Sequence, residues 1–277
     1  MMVSAVILNY KDPELTCRCI DKLHAAADES GVETEVIVVD NSAPQTAQSL
    51  HEGLSEEVII IENEKNEGFS KANNQGIERA KGDLILIMNN DLFINADTLG
   101  KGVRYIKNHP NIGVWAPKLT DQQGNAQRSC SQFPTLTGLI SEYLLKLQYD
   151  NRIAKYAISA DKPIKVDTVI GACMLIPKTV LDEVEGFDED YFFNVEDVDL
   201  CLKIKNCGYE VIFDSRCSAV HLVSASQNGH WHDNRYLHQA RILYFRKNHN
   251  SLKSGIAKAV IKAGIHLRKI KHQLLPG

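Results

Sequence analysis

Four stretches in the first ninety residues, 3–8, 35–39, 58–61 and 84–88, are nearly unbroken runs of apolar side chains rich in Val and Ile. Between them, residues 13–27 and 70–80 place their apolar positions three and four apart, the period of a helix packed on one face. Uninterrupted apolar strands alternating with such helices predict a parallel sheet covered on both faces, because only a strand buried on both sides loses the in–out alternation. The second half is less regular. Residues 112–119 and 166–177 are strand-like and flank a helical pattern over 135–147. A helix is predicted over 196–206, stopped by Gly208, followed by two short strands at 210–213 and 219–223. From about Asp233 the chain reads as two helices with a break near 248–251. There is no internal repeat and no Pro- or Gly-rich linker, so the expectation is one α/β domain over 1–233, with halves 1–117 and 118–233, and a helical extension over 234–277.

Composition changes this picture little, and charge changes it more. The 277 residues are 44% hydrophobic and 24% charged, which excludes a disordered chain. No apolar run approaches the roughly 20 residues of a membrane-spanning helix. The N-terminal run has no basic stretch before it and is too short for a secretory leader. Seven irregularly spaced cysteines point to free thiols, so the chain is expected in a reducing, cytoplasmic compartment. The net charge is −4, but its distribution is uneven. From residue 234 onward there are ten Lys or Arg and no carboxylate, leaving 21 basic against 35 acidic residues, or −14, in the first 233. Within the tail, Leu252, Ile256, Val260, Ala263, Leu267, Ile270 and Leu274 recur at helical spacing, flanked by Lys253, Lys258, Lys262, Lys269 and Lys271. Such a helix either lies on an anionic membrane surface or docks on the body with its lysines in water. Basic and aromatic residues do not interleave there, so nucleic acid is not an expected partner.

Parallel α/β sheets bind ligands beyond the carboxyl ends of their strands. Those ends carry Asn9 and Tyr10, then Asp40, Asn41 and Ser42, then Asn63, then Asn89, Asn90 and Asp91. A carboxylate such as Asp91 in a cleft can hold a hard divalent cation together with substrate phosphates; the same triplet also suits a simple turn. Asp40, Asn41 and Ser42 suit a base or ribose edge, or a helix N-cap. Residues 66–76, with Asn66, Gly68 and Asn73, form a small-residue turn feeding a helix N-terminus, where anions are favoured; it is neither a G-x-G-x-x-G nor a Walker loop. Glu196, Asp197 and Asp199 crowd three carboxylates into one turn, either a base or metal site or an acidic helix start. His221 is a lone histidine at a strand end, a ligand or a hydrogen-bonded structural residue.

Taken in order, VVDNS, NEGFSKANNQGI, LIMNND, GACMLIP and GFDEDYFFNVEDVDLCLKIKNCGY, then a His and YFRKNH, the chain resembles a family 2 glycosyltransferase over about residues 3–249, nearest its rhamnosyltransferase-like branch. The resemblance implies a GT-A fold with a Rossmann-like nucleotide-binding half and an acceptor half. It implies an inverting transfer from a nucleotide-diphospho-sugar with Mg²⁺ or Mn²⁺. By position it makes Asp40 the base-reading acid, and Gly68 and Asn73 part of the loop flanking the nucleotide. It makes Asp91 the metal carboxylate of a D-x-D-like triplet in which Asn89 replaces the first Asp. His221 becomes the downstream metal ligand, Asp197 the catalytic base and Glu196 its neighbour at the acceptor. Asn9, Asn41, Asn66 and Asn90 fall in the same nucleotide-facing set. The resemblance further implies dTDP-L-rhamnose as donor and a lipid-linked saccharide as acceptor, in bacterial surface polysaccharide synthesis at the inner face of the cell membrane. Two alternatives use the same architecture. A sugar nucleotidyltransferase would need a basic triphosphate loop, which is not visible, and a non-catalytic nucleotide- or carbohydrate-binding protein would differ only in activity.

Overall fold

The structure is a computed structural model that describes residues 1–145, 160–222 and 235–274. The end of the helix expected over 135–147, Val223, and the side chains of Lys269, Ile270, Lys271 and Leu274 lie outside the described residues.

The four apolar runs become β1 (Val3–Asn9), β2 (Thr34–Asp40), β3 (Ile59–Glu62) and β4 (Leu84–Asn89). β1 lies between β2 and β4 and runs parallel to both, with Val3 opposite Thr34 and Leu84 and Asn9 opposite Asp40. β3 extends the edge, also parallel. Helix α1 (Pro13–Ser30) begins where the Asp12 carboxylate accepts the amide of Leu15 at 3.1 Å and Pro13 opens the first turn. It ends at Gly31, whose φ of 66° a side chain would disfavour. Together with α2 (Ala47–Gly53) and α4 (Ala96–Asn108), α1 covers one face of the sheet with Cys19, Ile20, Leu23, Leu50, Leu99 and Ile106. α3 (Phe69–Arg79), α6 (Lys178–Glu183) and α7 (Glu196–Asn206) cover the other with Ala72, Ile77, Val180, Leu181, Leu200 and Ile204. Each such aliphatic side chain taken out of water contributes about 1.5–3 kcal/mol, which is why these strands tolerate no polar face.

Beyond β4 the sheet is mixed. Its strand order is β3-β2-β1-β4-β10-β6-β11-β5, with β8 (Ile164–Lys165) added on β11 (Glu210–His221). β10 (Cys173–Pro177) runs against both β4 and β6 (Ile112–Thr120), whereas β11 runs parallel to β6. A doubly buried strand is apolar whichever way it points, so hydropathy alone cannot reveal the reversal at β10. The strand expected over 166–177 is split into β9 (Thr168–Val169), which pairs with β7 (Cys130–Ser131), and β10. The two short strands expected after Gly208 are one, β11, carrying a register shift in which Asp214 faces Pro117 and Ser218 faces Lys118. Pro117 has no amide to donate to the ladder, and the Asp214 carboxylate accepts the amide and guanidinium of Arg216 across the extra residues. β5 (Leu92–Phe93) closes the far edge.

The extension forms α8 (Arg235–Asn248) and α9 (Ser251–Leu274), which share a third apolar cluster with α5 (Leu136–Tyr143), Tyr191 and Val195. α9 docks through Ala257, Val260, Ile261 and Gly264; a side chain at Gly264 would come within 2.7 Å of Tyr143 Cβ. Of the described members of the apolar stripe read from the sequence, only Val260 is on this docked side. Leu252, Ile256 and Leu267 are 73%, 40% and 51% exposed. Part of the tail's positive charge meets the body, since Arg241 pairs with Glu142 at 2.7 Å and Lys247 with Asp188 and Asp190 at 2.5 and 2.6 Å.

Candidate functional site

Parallel pairing brings the strand ends together, and their side chains form two buried networks. In the first, Asn9 donates from Nδ2 to Asp40 Oδ1 at 2.9 Å and accepts the Thr16 hydroxyl at 2.8 Å, while Thr16 accepts from Asn90 Nδ2 at 3.0 Å. The Asp40 carboxylate, fully buried, also accepts the amide and hydroxyl of Ser42 and the hydroxyl of Thr46. It thus braces the 41–46 turn, while the N-cap position of α2 itself falls to Thr46. In the second network Asn41 donates to Gly68 O at 3.0 Å and accepts from Asn63, which exchanges two further bonds with Gln75.

The loop before α3 is held by similar means. Asn66 Oδ1 accepts the amide of Gly68 at 2.9 Å. Gly68 sits at φ 86°, and a Cβ there would lie 2.5 Å from the carbonyl oxygen of Phe192, so no other residue fits. That same carbonyl accepts the amide of Phe69 at 2.7 Å, tying the loop to the segment leading into α7. Asn73 is buried, with Nδ2 donating to Phe69 O and Oδ1 without a hydrogen-bond partner.

Asp91 and His221 are 130 positions apart and meet because β5 and β11 pair antiparallel, with His221 opposite Leu92. The amide of Leu222 donates to Asp91 O at 2.9 Å and locks the register. Both side chains are buried, and His221 Nε2 lies 3.3 Å from Asp91 Oδ1. That is within ion-pair reach, yet Nε2 makes no hydrogen bond. A buried imidazole nitrogen without a partner beside a carboxylate fits a divalent cation. Among the described residues no group of three or more His, Cys, Asp or Glu converges in this way; a carboxylate and an imidazole leave room for the phosphate oxygens and water that Mg²⁺ or Mn²⁺ takes on a nucleotide.

Glu196 and Asp197 open α7. The two residues before them, Asn194 and Val195, have φ of 72° and 71°. For a β-branched residue this is an unfavourable conformation costing on the order of 1–3 kcal/mol, the kind of strain that accumulates at functional sites. Asp197 accepts the amide of Gly171 at 3.0 Å and that of Val198 at 2.8 Å. Next to Gly171, the carbonyl of Ala172 accepts the amide of Asn89 at 3.1 Å, so this carboxylate is one short stretch of backbone from the end of β4. Burial is the main influence on all three acids of the turn. It pushes Asp197 up despite its amide bonds, and pushes Glu196 well above the carboxylate range with the charge of Asp197 adding to the effect. Asp199 is also raised by burial, opposed by hydrogen bonds from Asn248 and Tyr191.

A carboxyl whose pKa is higher folded than unfolded keeps a proton that the unfolded chain has lost. Stability is therefore lost as pH rises from the ordinary carboxylate range through the raised value. Glu196→Gln, which removes that ionisation, is expected to raise the Tm at pH 7 by a few degrees, at about 2–4 °C per kcal/mol. It is also expected to flatten the fall in Tm above pH 4.5. Melting curves of both proteins from pH 4 to 8 check this; parallel pH dependences would place the buried charge elsewhere.

The structure thus gathers Asn9, Asp40 and Asn90 into one network, Asn41, Asn66 and Gly68 around one loop, and Asp91 with His221. Asn89 and Asp197 are joined to them through Gly171 and Ala172. Thr16 and Gln75 belong to the networks but give no sequence signal beyond their place on helices. Gln127, in a loop without hydrophobic pattern, gives none; its amide bonds His221 at both ends.

Comparison with known proteins bears on this arrangement. The chain is 25% identical over 219 residues to the low-salt glycan biosynthesis hexosyltransferase Agl10 of Haloferax volcanii, covering 73% of this chain and 61% of that protein. It is 27% identical over 176 residues to the rhamnosyltransferase WbbL of Escherichia coli, covering 61% and 63%. It spans less than two thirds of the length of the curated relatives it matches. The mannosyltransferase PcManGT from Pyrobaculum calidifontis, solved with GDP-Man and Mn²⁺, superposes with a TM-score of 0.61 at 19% identity, over 99% of this chain and 72% of that one. At that identity the likeness is one of fold, the GT-A arrangement of a mixed sheet between helices. The family model for glycosyl transferase family 2 matches residues 4–185, which takes in β1 to β10 and every strand-end residue from Asn9 to Asp91, and the chain belongs to that family.

Proposed function

We propose that this protein is an inverting, metal-dependent glycosyltransferase acting on a nucleotide-diphospho-sugar. The observation that carries the reading is the pairing of Asp91 with His221 at the end of β4, joined through Asn89, Ala172 and Gly171 to the half-buried carboxylate of Asp197. Asp91 and His221 would hold the cation, which when bound supplies positive charge to the departing diphosphate. Asp197 would remove the proton of the acceptor hydroxyl. The acceptor oxygen then bonds to the anomeric carbon from the side opposite the diphosphate, whose C–O bond breaks with the electron pair leaving on the phosphate oxygen. One base is enough, since no acid is needed to protonate a metal-neutralised leaving group. The strand-end networks around Asn9, Asp40 and Asn41 would set the shape of the nucleotide side.

Family resemblance and the rhamnosyltransferase WbbL among the relatives support dTDP-L-rhamnose as the first donor to test, and a lipid-linked saccharide as acceptor at the inner face of the cell membrane. Among the described residues no helix is long and apolar enough to cross a membrane. The exposed side of α9 supports surface attachment instead. Leu252, Ile256 and Leu267 share it with Ala259 and Ala263, bordered by exposed Lys253, Lys258 and Lys262, and no carboxylate follows residue 233. Ile256→Asp with Leu267→Asp is expected to abolish co-sedimentation with anionic vesicles without lowering the Tm. Unchanged sedimentation would leave α9 a packing helix only.

The experiment that tests the donor reading is a thermal-shift panel of UDP, dTDP, GDP, ADP and CDP with and without Mn²⁺, followed by transfer assays with the matching sugar nucleotides. A metal-dependent shift for one base together with sugar release supports the transferase. A shift without turnover favours a binding protein, and a requirement for triphosphate favours a nucleotidyltransferase.

A further inference from the structure

We infer that Gln127 is a positioning residue that fixes the tautomer of His221, leaving the Nε2 lone pair facing Asp91 and so open to a divalent cation; this rests on the metal reading above. Gln127 is delivered by a tight turn. The Asp121 carboxylate accepts the amides of Gln123 and Asn125 at 2.9 and 2.8 Å, Gly124 adopts φ 82°, and the amide of Gln127 returns to Leu119 O at 2.8 Å. The side-chain amide then grips His221 twice. Nε2 of Gln127 donates to the His221 carbonyl oxygen at 2.7 Å, and Oε1 lies 2.8 Å from the ring Nδ1.

These two contacts determine the hydrogens. Turning the amide over would set its oxygen against the carbonyl oxygen of His221, two acceptors with no proton between them, so the NH₂ group must face that carbonyl. Oε1 is then the atom facing Nδ1 and accepts from it. In the neutral ring the hydrogen then sits on Nδ1 and Nε2 carries the lone pair. That Nε2 is buried without a hydrogen bond, although Asp91 Oδ1 is only 3.3 Å away, agrees with this assignment. Without Gln127 the ring could take the other tautomer and donate Nε2–H to Asp91, which would close the pair on itself.

The test uses the full chain labelled with ¹⁵N-histidine at pH 8, above the ordinary histidine range, with His221 assigned by comparison with His221→Gln. The wild type is expected to show the Nδ1–H tautomer. Gln127→Met, similar in volume but unable to accept in this way, is expected to show Nε2–H. In Mn²⁺ titrations followed by electron paramagnetic resonance in the presence of UDP or dTDP, Gln127→Met is expected to weaken binding about 10–100-fold, the usual cost of losing the partner behind a ligating histidine. Gln127→Glu, which keeps the acceptor, is expected to recover most of the affinity and the Nδ1–H tautomer; it also serves if the methionine variant fails to fold. An unchanged tautomer and Mn²⁺ affinity in the folded methionine variant would overturn the inference. A tautomer shift in a protein that binds no Mn²⁺ even as wild type would uphold the Gln127 contact and overturn the metal reading.

Discussion

Replacing Asp197 with Asn is expected to cut sugar transfer by roughly 10²–10⁴-fold, the usual worth of a positioned general base, while leaving donor binding within a few-fold of wild type. Asparagine keeps the volume and can still accept the amide of Val198, so the start of α7 has little reason to move. What it cannot do is take a proton. The pH profile carries the second half of the expectation. Burial disfavours the charged carboxylate more than the amides of Gly171 and Val198 favour it, so the pKa of Asp197 lies above the ordinary aspartate range. A base works only when deprotonated, so activity is expected to rise with pH through that raised value, and the residual activity of the Asn variant is expected to lose this rise. Single-turnover transfer and calorimetric donor titration, each over pH 5 to 9, separate the cases. If donor affinity falls in step with turnover, Asp197 shapes the donor side and the base is another group.

The second large effect is expected at Asp91. In the wild type a nucleoside diphosphate at a hundred times its Kd, with Mn²⁺, stabilises by about 2.7 kcal/mol, a rise in Tm of roughly 5–10 °C for a domain of this size. Asp91→Asn is expected to remove the part of that rise that depends on the metal and to leave the nucleotide-only shift in place. The carboxylate is half of a pair with His221 at 3.3 Å, and a neutral amide is a far weaker ligand for a hard cation than an anionic oxygen. Cys19 and Leu222, which pack at this corner through backbone atoms of residues 89–92, keep their hydrogen bonds in the variant, so the apo Tm is expected to stay near wild type. An undiminished Mn²⁺-dependent shift would mean that the metal is held away from the end of β4.

The parts of this protein that could be read along the chain share one property: they are local. Residues 3–8 and 84–88 have to be strands covered on both faces because no alternating polar position offers them a wet side. Asp12 and Pro13 open α1 and Gly31 closes it within a turn of the residues that signal them. Residues 196–206 form the helix read from their pattern, ending before Gly208 at φ 91°. The strand ends, polar in sequence, lie at the carboxyl edge of a parallel sheet, as the order of strands and helices requires.

What the sequence could not carry depends on partners distant in the chain. That β10 runs against β4, that 210–221 is one strand shifted opposite Pro117, and that α9 docks by Ala257, Val260 and Ile261 rather than by the stripe through Leu252 and Leu267 are matters of pairing. Hydropathy reports whether a position is covered, not by what. The same holds for the site. Asp40 is in sequence an acid at a strand end, and only the structure shows that its oxygens brace the 41–46 turn. Asp91 acquires His221 only when β5 pairs with β11, and His221 acquires a defined tautomer only through Gln127, which sits in an unpatterned loop. By itself the sequence determined which segments are strands and helices and which chemical groups stand at their ends, because both follow from periodicity within a few residues. The tertiary structure alone decided which of those groups meet, because hydrogen bonds and metal geometry act over about 3 Å and a chain of 277 residues can bring any two of its parts that close.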